Sequence, residues 1–190
     1  MKYLVFLAIL ASCAMESYLL KEEELRPYKD MAQVTHIDKA TKSIQLRSIQ
    51  DSRQRPGIGM ALTGVKYKKT PVVLAQDLNF FLKDYLHSEL ENRNVMIDRT
   101  SSLILDVVIN ELWVDEVVEK HQPEKAKCKV DLTFNIEMTN KKWSGQFWTE
   151  YTSAGDLTDG TERLAPTFAS CLNEVVEKLV NHKEFLEIIK

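Results

Sequence analysis

The run Cys128, Val130, Leu132, Phe134, Ile136, Met138 places an apolar side chain at every second position, with Lys129, Asp131, Thr133, Asn135 and Glu137 between them. A period of two is the pattern of a strand with one face in a core and the other in water. Such a strand needs neighbours on its hydrogen-bonding edges, and the flanking sequence offers them. Asn140-Lys141-Lys142 reads as a tight turn, and residues 143–154 as a strand returning from it. Upstream, residues 103–118 are rich in β-branched and apolar side chains without clean alternation. A bulge, or cover on both faces, would account for that. A charged hairpin loop containing Pro123 spans residues 119–127 and joins the two. The second half of the chain is thus expected to build an antiparallel meander.

A helical period appears twice. Leu74, Leu78, Phe81, Leu82, Tyr85, Leu86 and Leu90 form an apolar stripe over residues 71–92, with Pro71 in the first turn. Leu164, Phe168, Cys171, Leu172, Val175 and Leu179 form a second stripe over residues 161–179, with 181–190 as a short continuation. Ahead of the first helix, Ile44 and Leu46 alternate with Gln45 and Arg47 in a short strand over 43–49. The order β, α, β, β, β, α predicts an α+β two-layer sandwich, a small mixed sheet covered by two amphipathic helices. Reaching the sheet by way of the long helix, the first strand is expected beside and parallel to a later one. An apolar content of 44% with only 6 Gly and 5 Pro fits one packed domain, placed at residues 35–190.

Cys128 and Cys171 both lie on interior stripes. A helix packed on the strand could bring them into a disulfide, and two buried free thiols are the other reading. Neither has a base at fixed spacing, so neither reads as a nucleophile. With 28 acidic against 25 basic side chains, the chain lacks the basic excess of a nucleic-acid binder. His36, His87, His121 and His182 are scattered without metal-ligand spacing, so no metal and no cofactor is expected. Glu111, Asp115 and Glu116 could imitate a glycosidase pair but read more simply as a solvated strand edge. Ser101-Ser102 lacks a nucleophile-elbow context, and no phosphate-cradling Gly loop is present. An enzyme is not expected.

The candidate partner-binding residues are Asp51, Arg53 and Arg55, in the polar loop 51–59, and Trp148. For the loop, an Asx turn flanked by solvated arginines is the plainer alternative. Trp143, Phe147 and Tyr151 share one strand face, Trp148 takes the other, and Trp113 adds a ring in an earlier strand. Such rings could line an apolar ligand groove or simply pack the core, and an exposed Trp148 would be the residue to meet a partner.

At the N-terminus, residues 3–11 are apolar behind Lys2 and run into Leu10-Ala11-Ser12-Cys13. The stretch falls short of the roughly 20 apolar residues of a spanning helix and reads as a cleaved export signal. It resembles the bacterial lipobox. By that resemblance residues 1–12 are removed and Cys13 becomes the acylated first residue, carrying palmitate-type chains that make the membrane a partner. An ordinary signal peptide with an incidental Cys13 is the alternative. Ala14, rather than Asp, follows the cysteine, which by resemblance to the enteric sorting rule implies the outer membrane, facing the periplasm. Residues 13–34, with Lys21-Glu22-Glu23-Glu24 and Arg26-Pro27, suit a tether.

A strand leading into Asp51-Ser52-Arg53, then Ile58-Gly59, then a Leu-rich helix ahead of a β-hairpin region resembles the YajG-like bacterial lipoprotein family over residues 43–186. The element order also resembles lipopolysaccharide-assembly lipoproteins and the auxiliary lipoproteins of ABC-type lipid transporters. The resemblance implies a periplasm-facing, non-enzymatic lipoprotein and supplies no catalytic residue. The expected role is an interaction or assembly module of the cell envelope with an envelope protein as partner. The alternative is a transport accessory that binds lipid or another apolar ligand.

Overall fold

The computed structural model describes residues 17–20, 25, 35–38, 40–63, 68–118, 124–154 and 163–190. Cys13 and His121 lie outside the described residues. The strands are β1 (Tyr18–Leu20), β2 (Gln45–Asp51), β3 (Gly59–Thr63), β4 (Lys68–Leu74), β5 (Ile104–Val117), β6 (Lys125–Met138) and β7 (Lys141–Ala154). The helices are α1 (Leu78–Asn92), α2 (Leu164–Val180) and α3 (Lys183–Ile189). Among the described residues the seven strands join one mixed sheet in the order β1-β4-β3-β5-β6-β7, with β2 also paired to β5.

The expected α+β two-layer sandwich is what forms. β5, β6 and β7 make the antiparallel meander, each 14 residues long, with the turn at Thr139-Asn140. The broken alternation of β5 is a register shift between Ile109 and Glu111. Before it Leu105, Val107 and Ile109 face the core, and after it Leu112, Val114 and Glu116 do. β2 lies parallel to β5, as its connection through α1 requires.

Three strands were not foreseen. Tyr18–Leu20, in the expected tether, pairs in parallel with β4, and both Leu20 and Leu25 are buried. β3 begins at Gly59, where the polar loop was expected to end. Helix α1 starts at Leu78 rather than Pro71, because β-branched Val72 and Val73 extend the chain as β4 and Asp77 then caps the helix. Its carboxylate accepts from the Asn79 and Phe80 amides at 2.9 and 3.3 Å. Pro71 is tolerated in β4 because pairing with β1 starts only at Val72.

The helices cover one face of the sheet. α2 packs across β5, β6 and β7, α1 packs on β2, and the stacked Phe81 and Phe168 rings join the two helices. Each fully buried side chain of the Leu132 or Phe134 kind contributes about 1.5–3 kcal/mol, so this layer carries most of the stability. A disulfide joins Cys128 of β6 to Cys171 of α2, 43 residues apart. The opposite sheet face carries a polar network, with Asn110, Asp131, Thr133 and Gln146 bonded to one another across β5, β6 and β7. One pole of the sheet holds the end of β5 and the beginnings of β4 and β6. The other holds the start of β5, the β6–β7 turn and α3.

Candidate functional site

The loop between β2 and β3 is a seam. β2 pairs with the first half of β5, up to Ile109, and β3 rejoins it at Val114. The stretch of β5 between them would be left with unpaired backbone. Ser52 bonds the Ile109 carbonyl through its amide at 3.1 Å and its hydroxyl at 2.7 Å. Arg53 reaches inward and donates from one guanidinium nitrogen to the Leu112 and Gly57 carbonyls at 2.9 and 3.0 Å. Its other edge grips Asp51 through two hydrogen bonds of 2.9 Å, and these hold the Asp51 carboxyl below its usual range. The Arg53 side chain is only 5% exposed, so it clamps the seam. Gly59 is required where β3 meets β5, since a Cβ there would fall 1.8 Å from the Val114 carbonyl oxygen.

The acids of β5 serve the same seam. Asp115 and Glu116 accept from the Met60 and Leu62 amides of β3 at 3.1 and 2.6 Å. Glu111 pairs with Arg55 and Lys129. They are neither a solvated edge nor a facing acid–base pair: two of the three substitute for backbone pairing of a short strand.

At the pole of the β6–β7 turn, four segments enclose an open groove of about 1130 Å³. Leu103, Met138 and Trp143 line it among polar groups, with Ser102, Asn140 and Lys141 also on its wall. Thr41 and Lys42 amides bond the Ile189 carbonyl at 3.0 Å, which fixes residues 41–42 against α3. Trp143 donates its indole N–H to Glu184 at 2.8 Å. Hydrogen bonds from the Thr100 amide and hydroxyl hold Asp98 below the usual carboxylate range. Glu187 adds a third carboxylate to the lining, so hydroxyl, amide and ammonium groups stand there beside acidic and apolar side chains. Sequence reasoning missed this groove because it read residues 140–142 only as a turn. Nothing in the local pattern links that turn to residues 98–103 or α3.

The aromatic residues divide. Trp143 and Phe147 pack on His182, and Trp143 also on Phe185, so this part of the strand face is core. Tyr151 is 38% exposed. Trp148 projects from the open sheet face, 59% exposed, with Lys178 5.7 Å from its ring centre and bonded to its carbonyl at 2.8 Å. Trp113 is covered by Arg55, whose guanidinium carbon lies 3.9 Å from the ring centre. His36 is at the surface and His87 lies 3.3 Å from Glu91. Among the described residues no group of three His, Cys, Asp or Glu could hold a metal ion.

Arg93 was not singled out by any motif, yet it is fully buried at the end of α1. It bonds Glu89 and Asn173, and Glu177 of α2 at 3.2 Å. Glu177 also receives the Thr35 amide at 2.8 Å, so the cluster holds the incoming chain against both helices. Burial pushes the Glu177 carboxyl upward, but the hydrogen bonds from Thr35 and Arg93 outweigh it and leave the group below its usual range.

Residues 31–190 match a family model, Lipoprotein_16, described as an uncharacterized lipoprotein. No curated protein matches the chain in sequence. Among solved structures, a Xanthomonas campestris protein of the DUF330 family is similar over 90% of this chain and 97% of its own, at 12% identity and a TM-score of 0.58. A second, of an uncharacterized protein, is similar over 83% of this chain and 96% of its own, at 10% identity and a TM-score of 0.50. At such identities the likeness is one of fold. An Acinetobacter baumannii minor lipoprotein is also similar, over 78% of this chain and 90% of its own, at 12% identity and a TM-score of 0.36.

Proposed function

Because this chain belongs to the Lipoprotein_16 (YajG-like) family of lipoproteins, we propose that it is a bacterial envelope protein, anchored by acyl chains on Cys13, that works as a non-enzymatic interaction module. The outer membrane, with the domain facing the periplasm, is the location that Ala14 after the cysteine favours. Anchoring through several chains gives the stable attachment that one chain does not.

The observation that carries the interaction role is Trp148. An indole 59% exposed on the sheet face opposite the helices offers an apolar contact of the kind that dominates binding energy once a partner covers it. Lys178 bonds the Trp148 carbonyl at 2.8 Å and places its ammonium 5.7 Å from the ring centre. In contrast, Asp51, Arg53, Asp115 and Glu116 are engaged in holding the seam.

A photoreactive residue in place of Trp148, expressed in the native cell, tests this. A discrete protein adduct that a photoreactive residue at exposed Phe80 does not give is the expected result. Enrichment of lipid without protein would instead favour the transport-accessory reading. Cys13→Ala should release the protein from membranes. A variant that fractionates like the parent, with no acyl chain on the parent, would end the anchor reading.

A further inference from the structure

β1 limits how the domain can stand on a membrane. Five peptide steps separate Cys13 from Tyr18, a reach of at most about 18 Å whatever path they take. Tyr18 is aligned with Val72 of β4, Val72 with Gly59 of β3, and Gly59 with Val114 of β5. Tyr18 is therefore level with Val114, near the end of β5. The groove lies beyond the other end of that strand, past Ile104, about 30 Å away along the strand at about 3.3 Å per residue. Cys13 cannot reach that pole.

β1 and β4 are parallel, so the chain enters β1 from the end at which β4 begins. That pole carries the exposed cations Lys68 and Lys69, and Val118, 41% exposed, just past the end of β5. Basic side chains with a small apolar contact suit a layer of phosphate headgroups. Residues 13–34, expected as a long spacer, include a strand of the sheet, so little chain is left to hold the domain away from the bilayer.

We propose that the domain stands end-on and close to the bilayer. The pole of the β3–β4 hairpin meets phosphate headgroups, and the groove at the β6–β7 turn points away from the membrane. This rests on acylation of Cys13, the reading given above. It deepens that reading by fixing which surface is left for a partner: the far pole and the open face bearing Trp148.

Energy transfer in vesicles tests it. The full-length acylated protein is reconstituted into phosphatidylethanolamine–phosphatidylglycerol vesicles containing an acceptor-labelled lipid. A donor dye is placed on Lys69→Cys or, separately, on Lys141→Cys, with the Cys128–Cys171 disulfide left intact. Severalfold stronger transfer from position 69 is the expected result. Equal transfer from the two positions would mean a side-on domain, and stronger transfer from 141 an inverted one, and either overturns the proposal. The mass of the N-terminal peptide reads the anchor separately. Acylated protein with equal transfer overturns the orientation alone, whereas an unacylated Cys13 overturns the anchor and the orientation together.

Discussion

The two halves of the sheet are held by different physics. β5, β6 and β7 are long, paired over nearly their full length, and driven by alternating apolar side chains beneath α2. β1, β2, β3 and β4 are 3 to 7 residues long, and side chains do for them what length does for the meander. Arg53 and Ser52 fill the gap beside β5, Asp115 and Glu116 take the β3 amides, and Arg47 ties β2 to Asp106 at 3.0 Å. A long strand needs only a periodic sequence. A short one needs specific polar partners, and it is therefore vulnerable to single substitutions.

The largest effect should come from the charge that joins the helices over both halves. Arg93→Ala leaves Glu89 buried and uncompensated, and unfolding in urea should show a loss of about 3–5 kcal/mol. In the meander, Cys128→Ala with Cys171→Ala frees a loop of 43 residues and should cost about 4 kcal/mol by chain entropy. Hydrogen exchange should then find the short strands still opening first. If the meander instead becomes the weaker half, the disulfide and not the apolar pattern holds it.

Gly59→Ala attacks the other half. Its Cβ meets backbone rather than a flexible side chain, and a loss of about 1–3 kcal/mol is expected, with faster exchange at Val114 and in β3. Uniform loss of protection across the sheet would show that the two halves unfold as one unit.

The smallest effect is acid softening. Asp51 and Asp106 sit below their ordinary range because Arg53 and Arg47 donate to them. A carboxyl with a depressed folded-state pKa stabilises fully above its unfolded value of about 4, and that contribution is lost as pH falls through the folded value. Amides of β2 should lose protection below about pH 4 before those of β6 do. The reverse order, followed by NMR-detected exchange, would contradict the contrast between the halves.

What could be read from the sequence follows the same division. The alternation of β6, the two amphipathic stripes and the parallel crossover of β2 are periodic or topological features, legible in one dimension, and the broken pattern of β5 left a bulge as one of two readings. β3 contains a glycine and β4 a proline, and both are too short for a period to show. The motif Asp51-Ser52-Arg53 was visible as a resemblance, but its work as a clamp depends on where β5 lacks a partner. Likewise, Glu116 looks like any acid on a strand until the Leu62 amide is placed against it.

By itself, the sequence determined the α+β class, because an apolar period dictates which face is buried wherever an element is long enough to repeat it, whereas the lipoprotein reading came from the resemblance of Leu10-Ala11-Ser12-Cys13 to a lipobox. It could not determine which pole meets the bilayer, which four segments close on the groove, or that Trp148 is left uncovered. Those depend on distances between residues far apart in the chain, and only the assembled sheet makes them short.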